Sequence, residues 1–357
     1  MDVSPSAPPL CRLSLLGTLE ITLPGRKLPR VRPNRLRDFL ALHRGGTVPS
    51  LTSLVVIPVG RTAEKTAGDI SVASLTLNNG ATLRFSESGN SLTSATVVFG
   101  NTGLNQTASN LLLRDDVLGG ADLLITAGTN LSGRIGTIGR INSGGQQPTV
   151  IQNDGVINSS VANNTTLFNS TSLTNTNLIQ ATNGASLTFG TGNPTINSNG
   201  ANISISGGGG TLNVQGAGIT NNGTVTVTDS FLASTNYISG GSIVLNNATV
   251  NSAIAYFSSG AAVSGSQLTL NNGASLRFSQ PGNTLSTTNV TFGGTTANDI
   301  YLNGDPVTSL IVASGTTLTG RIGRINVLNS FSNPTTLINI ALPVSIDPVL
   351  SCAILSA

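Results

Sequence analysis

The chain has no tryptophan, one methionine, two cysteines and one histidine in 357 residues. The histidine, His43, lies in a basic N-terminal stretch. A His-dependent triad or a His-ligated zinc site is therefore excluded from everything that follows it. Cys11 and Cys352 stand near opposite ends, so no disulfide framework or metal cluster can be read from them. A long Cys-free stretch between them suits a bacterial exported chain that crosses membranes unfolded. Lysine occurs only as Lys27 and Lys65, and neither follows a Gly-rich loop, which removes the phosphate-binding GxxxxGK[ST] motif. No run reaches the ~18 apolar residues of a membrane helix, so no transmembrane segment is expected. The apolar stretch Leu13–Leu16 is short, carries Arg12 at its edge and leads into Glu20 and a basic cluster. That order does not make a signal peptide.

Charge is also scarce, at 9% of residues against roughly 25% in an average soluble protein. What there is divides unevenly. Residues 1–65 hold ten Lys and Arg against four acids, whereas the remainder holds seven Arg, no Lys and ten acids. The larger part is slightly acidic, so no nucleic-acid partner is expected through it.

In place of charge stand 42 glycines with many Asn, Thr and Ser, and the chain repeats itself. LTLNNGATLRFS (Leu75–Ser86) returns as LTLNNGASLRFS (Leu268–Ser279), identical at 11 of 12 positions. GNSLTSATVVFG (Gly89–Gly100) returns as GNTLSTTNVTFG (Gly282–Gly293), and GTNLSGRIGTIGRIN (Gly128–Asn142) as GTTLTGRIGRIN (Gly315–Asn326). Such self-similarity marks stacked architectures, whose units bury their apolar faces only against one another. Within the repeats, short segments alternate apolar and polar residues between Asn-Gly or Asp-Gly pairs at Asn79, Asp154, Asn183, Asn199, Asn222 and Asn272. This predicts half-buried strands joined by turns that need positive φ. The inward set of the first copy is Leu75, Leu77, Leu83 and Phe85, with Thr76, Thr82 and Arg84 outside. Segments of three to five residues are short for hairpin strands, and the turns recur unevenly. Both features favour a coil of roughly twenty residues with variable corners, where stacked Asn side chains can bond up and down a ladder. The expected fold is all-β: a right-handed parallel β-helix, or solenoid, with a non-repetitive basic N-terminal segment.

Three zones follow. Residues 1–66 form a basic leader, a cap or a poorly ordered segment; 67–330 carry the solenoid repeats; 331–357, with Pro334, Pro343 and Pro348, form a tail or cap. In the leader, CRLSLLGTLEITLPGRKLP reads as two short strands around a turn, and Asn34–His43 has helical spacing. This stretch resembles the opening of the winged-helix DNA-binding domain of actinobacterial pathway regulators and stops before any recognition helix. The preferred reading is an appended leader.

Candidate chemistry is thin. Asp115, Asp116 and Asp122, beside Arg114, form the densest acidic group. Paired carboxylates can bind Ca²⁺ or act on a sugar, but neighbours on a strand point to opposite faces, so a solvated turn is expected. Asn298, Asp299 and Asp305 read as the same polar turn in the second copy. Three arginine pairs recur between the copies, Arg84/Arg277, Arg134/Arg321 and Arg140/Arg324; they protect strand surfaces or bind an acidic glycan. The only tyrosines are Tyr237, Tyr256 and Tyr301, few for a saccharide cleft. The glycine runs Gly207–Gly210 and Gly133/Gly136/Gly139 read as corners, and Gly119–Asp122 as a lone fragment of a Ca²⁺-binding nonapeptide. No catalytic, cofactor-binding or metal residue is assigned.

With its NNGA[TS]LRFS and NNGTVTV segments and Asn/Thr/Gly texture, residues 67–330 resemble the passenger region of bacterial autotransporters and filamentous-haemagglutinin-type adhesins. The resemblance implies a surface-exposed or secreted β-helix at the bacterial outer membrane, acting in adhesion or aggregation. Glycans, other cell-surface ligands or a second copy of the chain would be the partners. The alternative is a carbohydrate-active β-helix enzyme, a polysaccharide lyase or glycoside hydrolase, for which acids converging in a groove would speak.

Overall fold

A computed structural model describes residues 22–23, 26–27, 54–100, 107–141, 147–303, 308–327 and 336–339. His43, both cysteines, Asp305, the helical stretch Asn34–His43 and the three tail prolines lie outside them. Every regular element among the described residues is a strand. In the leader, Thr22–Leu23 pairs antiparallel with Arg26–Lys27, in line with the expected short hairpin. All other strand pairs are parallel and belong to one β-solenoid.

Each turn of the solenoid has three faces. Face A is a twelve-stranded sheet from Thr62–Lys65 to Thr317–Gly320. Face B runs from the first half of Gly68–Leu77 through Ala121–Ile125 to Ile322–Val327. Face C runs from Leu54–Ile57 to Thr336–Asn339. Faces B and C form one 23-stranded sheet, because the long strands Gly68–Leu77 and Asn90–Phe99 continue through the corner between them. The stack includes Leu54–Ile57 and Thr62–Lys65 at one end and Thr336–Asn339 at the other. These strands fall in the segments read as leader and tail.

Period-two alternation builds the interior. In Ser109–Leu113 and Ala121–Ile125 the first, third and fifth residues are buried and the others half-buried. Leu75, Leu77, Leu83 and Phe85 all face inward, as do their duplicates Leu268, Leu270, Leu276 and Phe278. Identical inward positions on successive turns stack in register. The rings of Phe168 and Phe189 lie 4.9 Å apart and nearly parallel, and those of Phe257 and Phe278 are 5.4 Å apart.

The duplicated block re-enters the solenoid one face out of phase. In the first copy, the two strands of LTLNNGATLRFS lie on faces C and A; in the second they lie on A and B. GNSLTSATVVFG lies on B and C, its duplicate on C and A. The unit that duplicates is therefore the strand–corner–strand arc. It fits any face because all three present the same apolar interior.

Two local devices hold the corners. At the corner from B to C, Asn153, Asn175, Asn197 and Asn221 are fully buried. Each Nδ2 donates to the Oδ1 of the next Asn at 2.8 Å, at intervals of 22, 22 and 24 residues. The same amides also donate to the Leu178, Asn202, Thr224 and Ser242 carbonyls at the start of the following face-C strands. This is the expected ladder; it satisfies buried amides and ties successive turns together. The second device is the repeated Gly-Arg-Ile-Gly corner. Gly133 and Gly320 have φ of +115° and +99°, and a Cβ on either would collide with the Phe99 or Phe292 carbonyl oxygen. Those oxygens accept from Arg134 N and Arg321 N at 2.8 and 2.7 Å.

The Asn-Gly reading holds at Gly80, Gly184, Gly200 and Gly273, which have positive φ. It fails at Gly155 and Gly223. There the backbone is ordinary, and glycine is required because a Cβ would strike the Thr129 or Ala201 carbonyl oxygen of the preceding turn.

Candidate functional site

The acidic group of the sequence does not converge. Asp115 is buried and Asp116 half-exposed in the loop after Ser109–Leu113, while Asp122 lies on the following face-B strand. Arg114 takes both oxygens of Asp116, at 2.8 and 2.7 Å, and reaches Glu64 at 3.3 Å. Its guanidinium holds the Asp116 carboxyl below its ordinary value. Asp122 Oδ1 accepts from the backbone N–H groups of Gly89 and Asn90 at 2.7 and 3.1 Å. It edges an open groove of about 350 Å³ that also includes Ser91, Leu124 and Gln152. Asp122 thus fixes a corner of the neighbouring turn. Among the described residues no three His, Cys, Asp or Glu side chains stand close enough to hold a metal ion.

The second-copy acids depart from the expected polar turn. Asn298 and Asp299 open a face-B strand, Asn298–Leu302. Asn298 is buried, accepts from Gly273 N and Ala274 N, and donates to the Gly293 carbonyl. The alternation of the strand overrides the turn propensity of Asn-Asp, because an amide at the inward position satisfies the corner above it.

The arginine pairs separate with their faces. Arg84 is on face A, in register with Glu64 and Leu112. Arg277 is on face B, in register with Tyr256 and Tyr301. Arg134 and Arg321 sit in the glycine corners, Arg321 donating to the Thr295 carbonyl. Arg140 donates to Asn169 on face A, and Arg324 is exposed on face B.

The most distinctive outward surface is built around Arg277. Its guanidinium carbon lies 5.2 Å from the Tyr256 ring centre and 5.6 Å from that of Tyr301. One Nη donates to the Tyr256 hydroxyl at 2.9 Å. Tyr237 meets Tyr256 edge-to-face at 5.2 Å, and its hydroxyl accepts from Asn303 Nδ2 at 3.3 Å. Tyr301 donates its hydroxyl proton to Asp299 at 2.7 Å. That bond, with burial, raises the Tyr301 pKa above the ordinary phenol value, against the opposing fields of Arg324 and Arg277. All three tyrosines of the chain therefore occupy one strip across the last turns of face B, half-buried on the outer surface.

Comparison with protein-family models, curated proteins and solved structures gives no match.

The strip offers a planar cation clamped between aromatic rings, three phenol hydroxyls and one amide. A guanidinium held between two rings keeps its remaining Nη donors in a fixed orientation, which suits planar anions. Phenols supply rigid amphipathic contact at small entropic cost. Sequence reasoning named Arg277 and the three tyrosines, though not Asn303, and read the tyrosines as scarce rather than gathered. The available signal was spacing: Tyr256 and Arg277 stand 21 residues apart, close to the Asn-ladder interval of 22.

Proposed function

We propose that the chain is an adhesive β-solenoid, displayed at or released from a bacterial surface, that binds a saccharide through the Tyr237–Tyr256–Arg277–Tyr301 strip. The observation that carries this reading is the concentration of every tyrosine, with one stacked arginine, on a single outward face. The resemblance of the repeats to autotransporter and filamentous-haemagglutinin-type passengers supports surface display. A flat parallel face also suits a linear ligand, because side chains in register recur every strand spacing, about 4.8 Å. We further propose binding without turnover. Asp299, the described carboxylate that touches the strip, accepts the Tyr301 hydroxyl, and the Asp115–Asp122 group belongs to turns near the other end.

The test is a titration of the full chain with a panel of neutral and acidic oligosaccharides, read by tyrosine fluorescence. With no tryptophan in the chain and all three tyrosines in the strip, that emission reports the site directly. Saturable binding that is lost in Tyr256→Ala and Tyr301→Ala is the expected result. Binding unchanged in both variants, or by no member of the panel, would overturn the proposal.

A further inference from the structure

We infer that the strip selects an acidic saccharide, with Arg277 receiving a carboxylate or sulfate of the chain; this rests on the saccharide-binding reading above. Three observations carry it. First, Arg277 is held but not neutralised. Its guanidinium is sandwiched by Tyr256 and Tyr301 and spends one Nη donor on a phenol. Among the described residues, the salt bridges involve Arg114 alone. An arginine placed merely to keep a strand edge soluble needs no aromatic clamp; a clamp fixes the fork for a planar anion.

Second, the charge around Arg277 is net positive, with Arg324 and Arg321 outnumbering Asp299. Arg324 is exposed on the adjoining strand Ile322–Val327, and Arg321 sits at its corner. Asp299 is engaged by Tyr301, and that bond leaves the Tyr301 proton pointing at Asp299 rather than at a ligand.

Third, face B is electrically polar along the solenoid. Its early turns carry Asp69, Asp122 and, at the following corner, Asp154. Its late turns carry Arg277 and Arg324 against the single Asp299. An anionic chain is repelled from the first region and attracted to the net-positive second, so charge favours the tyrosine strip. A neutral chain gains nothing from this arrangement. Each remaining group complements a polyhydroxylated chain: the hydroxyls of Tyr237 and Tyr256 each retain a proton to donate, and the ring edges take the sugar C–H surface.

The experiment compares linear oligogalacturonate with its fully methyl-esterified, neutral counterpart. Both are titrated into the full chain at low and at high ionic strength, read by tyrosine fluorescence. We expect the acid to bind roughly tenfold tighter or more at low salt, one charge-assisted bidentate pair's worth, and the advantage to shrink at high salt. Arg277→Gln should abolish the difference while leaving weak binding of both ligands. Arg84→Gln, which alters the same duplicated segment on face A, should leave it intact. Arg277→Lys keeps the charge without the planar fork and should lose most of the preference, which covers the case in which the Gln variant is poorly folded. Equal affinities for acid and ester would overturn acid selection and leave saccharide binding standing. Acid preference undiminished in both Arg277 variants would overturn the site. Binding of neither ligand, nor of any saccharide in the wider panel, would overturn the underlying function as well.

Discussion

Arg84 and Arg277 are the same residue of one duplicated segment, yet they stand on different faces of the solenoid. Arg84 is in register with Glu64; Arg277 is in register with Tyr256 and Tyr301. The rotation by one face leaves the inward leucines and phenylalanines interchangeable while giving the outward arginine new neighbours. Duplication thus preserves the core and varies the surface, because an inward position sees the same interior on every face and an outward position sees whatever the next turn supplies.

A double-mutant cycle on Tyr256 and Arg277 measures that difference. Tyr256→Leu and Arg277→Gln, alone and together, should show a coupling of about 0.5–1 kcal/mol in urea unfolding, as expected for a cation over an aromatic ring. The cycle on Glu64 and Arg84, which are not within salt-bridge distance, should give a coupling near zero. Equal couplings would show that the tyrosine clamp contributes nothing specific.

In and out were legible in the sequence; around was not. Period-two alternation assigned Leu75, Leu77, Leu83 and Phe85 to the interior because a strand permits only two directions. It could not say which face each strand joins, since that depends on corner lengths that vary from turn to turn. Tyr237 and Asn303 meet although 66 residues separate them, so their contact requires counting every corner between. The Asn ladder was foreseeable in kind because Asn is the corner residue whose amide can both donate and accept along a stack. The second-copy acids were misread for the converse reason. Asn298 and Asp299 look like a turn in isolation, and the strand beside them draws them into face B.

The ladder predicts a large cost for a small change. Asn175→Ala removes donors to Asn197 Oδ1 and to the Asn202 carbonyl, and leaves Asn153 Nδ2 without its Asn acceptor. The orphaned groups stay buried, so a loss of about 2–4 kcal/mol is expected. Asn213→Ala, on an outward face-A position, should change stability by less than about 0.5 kcal/mol. Urea unfolding of the two variants checks this; similar midpoints would show that the ladder is dispensable.

The Tyr301–Asp299 bond predicts a pH dependence with a definite sign. The folded-state pKa of Tyr301 is raised by the hydroxyl's bond to Asp299 and by burial, whereas the unfolded phenol titrates near about 10. The folded state therefore retains the proton longer. Its stabilising contribution is fully present below pH ~10 and is lost as pH rises through the folded value. Tyrosinate absorbance, taken as the difference between the native chain and Tyr301→Phe, should place this ionisation above the ordinary value. Asp299→Asn should bring it down. An ionisation at the ordinary value in the native chain would show that the bond does not form.

Two glycines five residues apart in the chain separate backbone conformation from close approach. Gly315 has φ of +86° with nothing near a hypothetical Cβ, whereas Gly320 has φ of +99° with its Cβ position aimed at the Phe292 carbonyl. Gly315→Ala should cost about 1 kcal/mol, the penalty of a left-handed L-residue. Gly320→Ala carries that penalty and also pushes apart the carbonyl that Arg321 N uses at 2.7 Å. Its cost should therefore exceed about 3 kcal/mol. The same logic applies at Gly133, whose Cβ would strike Phe99, so Gly133→Ala should match Gly320→Ala and not Gly315→Ala. Thermal and urea unfolding of the three variants distinguishes the cases. If all three lose about the same stability, positive φ alone explains the repeated Gly-Arg-Ile-Gly corner, and the close packing of successive turns there has no energetic weight.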